Sequence, residues 1–474
     1  MKVMMLASEG VPFIKTGGLA DVIGSLPKAL KDKGIDVAVV MPKYQDIPPH
    51  YREQMTHLKS IDVTLGWRKQ FCGIEVLDYN GIPFYFIDNQ YYFHREGLYG
   101  HYDDAERFAF FGKAVLDILP HIDFKPDILH CHDWHTGIVP LFLKTHYVND
   151  DFYRDLRSIF TIHNLQYQGI FPRDILGDIL GLDDSVFTVD KIEFFGQVNY
   201  MKAGLVFSDL LTTVSHTYAE EIQYPYFGEN LDSLLRHRKN DLHGIINGID
   251  YQLYNPSIDP YIDVNYHWSL KKKQENKVKL QEQLGLPMND KSPMIAMVTR
   301  LVRAKGLDLV MRVLEDILAQ DVQLVILGTG DKHYETALLD AYQRHRGKVS
   351  VNIMFDTGLS HKIYAGSDMF LMPSQYEPCG IGQLIALRYG SIPIVRETGG
   401  LRDTVKAYNE SNGEGNGFTF ANFNAHDMLH TIERALQFYH DENHWRKIVM
   451  NATRGDFSWE QSAQQYIQLY QGLF

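Results

Sequence analysis

The sequence predicts two consecutive doubly wound α/β domains. Short apolar runs alternate with helical patterns along nearly the whole chain, and this strand series begins a second time past the middle. Glycine-bearing turns sit where strands hand over to helices. The 474 residues allow it, since domains run to about 150 residues and each can bury its own core.

The first strand is expected at residues 2–7, which are almost entirely apolar. A helical pattern covers 19–33 and stops at Gly34, a residue suited to a helix C-terminus. Residues 36–41 read as the second strand. Residues 61–88 break the rhythm with a period of two, and Asn80-Gly81 is a hairpin signal. They predict an antiparallel excursion at one edge of the first sheet. The α/β alternation resumes with strands at 128–132, 158–163, 210–214 and 243–246. Residues 247–270 are loop-like, carrying Asn247-Gly248, Asn255-Pro256 and Asp259-Pro260. A second series follows at 295–299, 323–327, 350–354, 369–372 and 392–395. The expected division is therefore 1–245, 246–457, and a terminal helix at 458–474 that returns to the first domain. The segment 409–417, rich in Gly and Asn, is expected to be flexible.

Composition excludes several classes. Apolar residues at 45% and charged residues at 22% are ordinary for a globular protein. A net charge of −13 argues against a nucleic-acid partner, because a phosphate backbone requires a basic face. Three cysteines make no disulfide framework and fit a reducing compartment. No zinc spacing occurs, the N-terminus lacks the pattern of a secretory leader, and no apolar run is long enough to span a membrane. No membrane partner is expected, and the expected location is the cytoplasm.

The chemistry-bearing residues lie at strand ends. Lys15-Thr16-Gly17-Gly18-Leu19-Ala20-Asp21 joins the first strand to the first helix. Paired glycines let a ligand approach the backbone, a helix N-terminus favours an anion, and Lys15 adds charge. The turn matches neither GxGxxG nor a Walker A loop. In the second series, Arg300, Lys305 and Gly306 occupy the equivalent turn, where two cations can clamp a diphosphate. Arg303 fits ordinary surface charge better. Gly328-Thr329-Gly330-Asp331 closes another strand. Ser374-Gln375-Tyr376-Glu377-Pro378-Cys379-Gly380 puts a carboxylate after an apolar strand, suited to sugar hydroxyls or to developing positive charge. No base marks Cys379 as a nucleophile. His130-Cys131-His132-Asp133-Trp134-His135 and Thr161-Ile162-His163-Asn164 also end strands. They suit inward-facing polar groups better than a metal site.

Together these residues resemble the bacterial glycogen synthases and plant starch synthases. The resemblance is carried by KTGGLADVIGSLPKAL at 15–30, HDWHTG at 132–137, HNLQYQG at 163–169 and INGID at 246–250. TRLVRAKGLDL at 299–309, PSQYEPCG at 373–380 and ETGGLRDTV at 397–405 complete it, in order and across nearly the whole chain. It implies a GT-B fold, two Rossmann-like doubly wound domains facing across a deep cleft. It also implies a retaining transferase that adds glucose from ADP-glucose to the nonreducing end of glycogen or another α-1,4-glucan.

The resemblance further assigns roles. Arg300 and Lys305 match the cations that stabilise departing ADP, and Glu377 an essential carboxylate with Cys379 and Gly380 beside it. His163 and Asn164 match a pair beside the glucose ring. Lys15, Gly17, Gly18 and Asp21 belong to the phosphate turn, and Tyr99 matches a tyrosine near the adenine. Asp133 and Trp134 match first-domain cleft residues, and Asn247 an asparagine near the phosphates. No Asp-x-Asp pair is present, so cationic side chains rather than a metal are expected to stabilise the leaving group, with no cofactor. Ile381-Gly382 replaces the usual Leu-Thr of the family and leaves one contact near the phosphates open. Ile385 breaks the Glu-x7-Glu pattern of other retaining GT-B enzymes. The alternatives are another GT-B sugar-nucleotide enzyme, namely a UDP-glucose-dependent transferase or an epimerase, and an inactive glucan-binding protein. Oligomeric state is not fixed by the sequence.

Overall fold

Val3–Leu6 is apolar and fully buried, so Lys2–Leu6 (β1) runs through the middle of a sheet. In the computed structural model, which describes residues 1–474, the chain divides into two compact units. One is Met1–Asn247 with Trp459–Phe474, the other Gly248–Ser458.

In the first unit β1 is followed by β2 (Asp36–Pro42), β3 (Thr56–Leu65), β4 (Arg68–Tyr79), β5 (Ile82–Asp88), β6 (Ile128–His132) and β7 (Arg157–Ile162). A small antiparallel sheet comes next, β8 (Ile170–Pro172), β9 (Glu193–Phe194) and β10 (Gln197–Asn199), and then β11 (Leu210–Thr213) and β12 (Leu242–Gly244). The main sheet has nine strands in the order β12-β11-β7-β6-β1-β2-β5-β4-β3. It is parallel from β12 to β5 and antiparallel at β5-β4-β3, so the alternating stretch does form an edge excursion. Strand order reverses at β1, between β6 and β2, and such a switch point opens a crevice at the carboxyl ends.

The helix Gly18–Asp32 covers one face of this sheet with Leu19, Ala20, Val22, Ile23, Leu26 and Leu30 buried. The last helix, Trp459–Gln471, packs on it and buries Trp459, Ala463, Tyr466, Ile467 and Tyr470. Ser462 Oγ donates to the Ile246 carbonyl at 2.5 Å, which ties the last helix to the end of the first unit's chain.

The second unit holds β13 (Met294–Val298), β14 (Gln323–Leu327), β15 (Val349–Asn352), β16 (Met369–Met372), β17 (Ile392–Arg396) and β18 (Phe418–Phe420). They form one parallel sheet, ordered β15-β14-β13-β16-β17-β18. Its switch point lies at β13, between β14 and β16. Two clusters of buried side chains cover the faces, one around Leu324, Ile326 and Ile432, the other around Ala296, Val325 and Ile363. Each unit is thus a Rossmann-like domain.

The segment 409–417 folds into a hydrogen-bonded turn. Asn409 N–H donates to the Glu414 carbonyl at 2.8 Å, and Asn451 Nδ2 holds the Gly413 and Gly415 carbonyls at 2.9 and 2.8 Å. The Asn451 contacts come from a residue far along the sequence.

Candidate functional site

In the first unit the predicted residues gather at the carboxyl ends of β1, β6 and β7. Asp133 follows β6 directly, with φ 58° and ψ 177°. Only glycine adopts this region readily, so an aspartate there costs about 1–3 kcal/mol, and such strain clusters at functional sites. Hydrogen bonds hold it. Asp133 N–H donates to the Thr161 carbonyl at 3.0 Å, and Oδ1 accepts from His163 N–H at 2.7 Å and Asn164 N–H at 3.5 Å. Burial pushes the Asp133 carboxyl up to about 7, with the His163 and Asn164 backbone bonds opposing and the charge of Glu9 adding.

His163 follows β7. Its Nε2 lies 2.9 Å from His132 Nδ1, and the His132 ring stacks on His130 at 4.2 Å between centroids. His130 is clamped in turn by Tyr470 Oη at 2.8 Å and Thr161 Oγ1 at 2.6 Å. Burial lowers all three histidines, His130 and His163 to about 3 and His132 well below its usual value. They are therefore neutral donors and acceptors at physiological pH, not charge carriers. Trp134 is buried against His135, Phe108 and Phe171 and supports the turn from beneath. Tyr99 stacks on His135 at 4.4 Å and its hydroxyl pairs with Ser8 Oγ at 2.7 Å. Asn247 is buried, with Oδ1 left without a hydrogen-bond partner.

The turn at Lys15–Gly18 differs from a simple anion cradle. The Glu9 carboxylate accepts from the Thr16 N–H, from Thr16 Oγ1 at 2.9 and 3.0 Å, and from Gly17 N–H at 3.2 Å. A carboxylate of the chain itself thus fills those backbone donors. Burial raises the Glu9 pKa, the Thr16 and Gly17 hydrogen bonds oppose it, and Asp21 raises it further. Lys15 Nζ grips both Asp21 oxygens at 2.7 and 2.8 Å. Burial raises the Asp21 pKa while Lys15 opposes the shift. Sequence reasoning missed Glu9. The available signal was an acidic residue three positions after an apolar strand, in the turn ahead of a glycine pair.

In the second unit the switch-point strands present the remaining residues. Arg300 leaves β13 exposed, with its guanidinium unpaired. Lys305 Nζ meets Glu377 Oε2 at 2.5 Å, and Ser374 Oγ donates to the same oxygen at 3.0 Å. Glu377 is 7% exposed. Backbone contacts fix both turns. Gln375 N–H donates to the Ala304 carbonyl at 2.9 Å, and Gly306, at φ +79°, brings its Cα so close that a Cβ would stand 2.1 Å from the Pro373 oxygen. Gly399, at φ +46°, lets the next loop touch Glu377, where a Cβ would stand 1.9 Å from its carbonyl oxygen. Cys379 is buried, and Gln383 Nε2 holds the Cys379 and Gly380 carbonyls, both at 3.0 Å. At Gly382 an added Cβ would meet Phe370 Cε1 at 3.2 Å, a tight contact, and Met372 Sδ and the Tyr364 hydroxyl at 3.4 Å. Arg303 pairs with Asp308 at 3.3 Å on the surface, separate from the Lys305–Glu377 pair.

His132 and His135 serve different partners, the first His163 and the second the Tyr99 and Trp134 rings. A cavity of about 1220 Å³ in the second unit, lined by Trp268, Arg388 and Trp445, contains none of the residues above.

Two Rossmann-like units in one chain, with unpaired and carboxylate-paired cations at one switch point and buried histidines beside a Glu9-filled turn at the other, have the architecture of a GT-B glycosyltransferase. A family model described as "Starch synthase catalytic domain" matches residues 2–237, and one described as "Glycosyl transferases group 1" matches residues 279–453. The chain is 61% identical over 474 residues to the glycogen synthase of Desulforamulus reducens, covering 100% of this chain and 99% of that one. It is 56% identical to the glycogen synthase of Geobacillus thermodenitrificans, covering 100% and 98%. Its fold matches the catalytic domain of Starch Synthase IV from Arabidopsis thaliana bound to ADP and acarbose. That match has a TM-score of 0.92 and 35% identity, over 99% of both chains. The sucrose-phosphate synthase of Thermosynechococcus elongatus shares the fold at a TM-score of 0.64 and 18% identity. The chain belongs to the glycogen and starch synthase family of retaining glucosyltransferases. No helix is long and apolar enough to cross a membrane.

Proposed function

We propose that this protein lengthens an α-1,4-glucan such as glycogen by transferring glucose from ADP-glucose to the nonreducing end. The observation that carries the reading is the unpaired Arg300 after β13, with the Lys305–Glu377 pair at the same switch point of the second sheet. Breaking the bond from C1 to the diphosphate leaves a cationic sugar and an anionic ADP. Arg300 and Lys305 stabilise that anion, and Glu377 keeps Lys305 in place and balances charge on the sugar. The acceptor hydroxyl attacks C1 on the face that ADP leaves, and the departing phosphate takes its proton, so configuration is retained. His163 and Asn164 hold the glucose, Asp133 sets their backbone, and Trp134 supports them. Gly18 and Asn247 serve the phosphates, Lys15 and Gly17 join them once the diphosphate takes the place of the Asp21 and Glu9 carboxylates on those donors, Tyr99 serves the adenine, and Cys379 and Gly380 the Glu377 turn. The reaction is metal-free and takes place in the cytoplasm, in keeping with three cysteines that form no disulfide.

The test is a transfer assay with glycogen primer, either ADP-glucose or UDP-glucose, and excess EDTA. Elongation from ADP-glucose that survives EDTA is expected. Preference for UDP-glucose would revise the donor, and glycogen binding without transfer from either donor would refute the enzymatic reading.

Asp133 gives a separate expectation. An Asp133→Gly variant relieves the backbone strain but leaves the His163 and Asn164 amides without their acceptor, so the two effects oppose and its melting temperature should change little. Its kcat should fall by about tenfold or more, because the His163 and Asn164 amides lose their acceptor. Thermal unfolding and steady-state kinetics on one preparation check both halves.

A further inference from the structure

His163 Nε2 and His132 Nδ1 are 2.9 Å apart, so one ring donates and the other accepts. With both rings neutral, two arrangements exist. If His163 donates from Nε2, His132 must carry its own proton on Nε2, a buried atom with no partner. If His132 donates from Nδ1, that buried atom is only a lone pair, and His163 carries its proton on Nδ1. Orphaned buried N–H groups are rarer than unfilled acceptors, which favours the second arrangement. His130 stacks on His132 at 4.2 Å and is itself fixed by Tyr470 and Thr161, so the His132 ring has a rigid platform. Tyr470 lies on the last helix, which makes the end of the chain part of that platform.

We infer that His132 is a positioning residue that holds His163 as its Nδ1–H tautomer, so that the ring presents a donor to a sugar hydroxyl oxygen. The inference rests on the reading that His163 sits beside the glucose. No hydrogen bond within the protein occupies His163 Nδ1. A ring locked as a donor selects an oxygen lone pair, and a ring free to exchange tautomers loses that selectivity.

Long-range proton–nitrogen NMR of histidine-labelled protein reads the tautomer directly, with His163 assigned by its loss in His163→Gln. The expected spectrum shows a protonated Nδ1 and a bare Nε2 at His163, and protonation at His163 Nε2 would overturn the inference. His132→Leu removes the donor, whereas His132→Asn keeps an N–H near the former Nδ1. The leucine variant should lose about ten- to a hundredfold in kcat, as when a group that orients a metal-ligating histidine is removed, with KM for ADP-glucose less affected. The asparagine variant should recover most of it. A folded leucine variant with wild-type kcat would refute the positioning role, and if that variant fails to fold the wild-type spectrum still decides. A His163→Ala variant with normal kcat would remove the role at the sugar, a failure distinct from a wrong tautomer.

Discussion

Replacing Arg300 by alanine should lower kcat for glucosyl transfer by about 10²–10³, the loss of one donor to a developing anion and about 2.7–4 kcal/mol of transition-state stabilisation. The melting temperature should hardly change. Arg300 is exposed and its guanidinium unpaired, so its removal orphans no buried partner. That separation of activity from stability is the signature of a residue kept for a ligand. Arg300→Lys retains the charge but loses the planar fork that meets two phosphate oxygens, so its kcat should fall between the two. Steady-state kinetics with ADP-glucose and thermal unfolding check this. A kcat within about threefold of the parent would take Arg300 out of the leaving-group site.

The fold was legible where strands are long and buried. Residues 128–132, 323–327 and 369–372 coincide with β6, β14 and β16, because a parallel strand covered on both faces is buried almost throughout and mostly apolar, His130, His132 and Gln323 apart. The small sheet β8-β10-β9 and the edge strand β18 escaped, since two or three residues carry no period. At the site, the strand-end motifs point to the right turns, but their internal pairing is tertiary. Nothing in the sequence announces that Glu9 holds the Thr16 and Gly17 amides, or that Tyr470 reaches His130 across 340 residues. The strain at Asp133 is equally hidden, because it arises where β6 and β7 meet and not from the residue type.

The Lys305–Glu377 pair should behave unlike Arg300. Its two partners are mostly buried, with side chains 21% and 9% exposed, so removing either leaves the other short of a partner. Lys305→Ala leaves the Glu377 carboxylate with Ser374 Oγ and should cost about 1–3 kcal/mol of stability as well as activity. Glu377→Ala frees Lys305 to move from its turn, and kcat should fall by at least about 10². The double variant should be scarcely worse than the poorer single one, because groups that act as a unit are not additive. Glu377→Gln separates charge from shape. It keeps an oxygen for Ser374 and fills the same space, so the fold should hold while the anchor for Lys305 weakens. Low kcat with a preserved melting temperature in Glu377→Gln would mean that the carboxylate charge is required, at the reacting centre or as the anchor of Lys305. Near-normal kcat would reduce Glu377 to a buttress of the turn and leave Arg300 and Lys305 to bear the departing diphosphate alone.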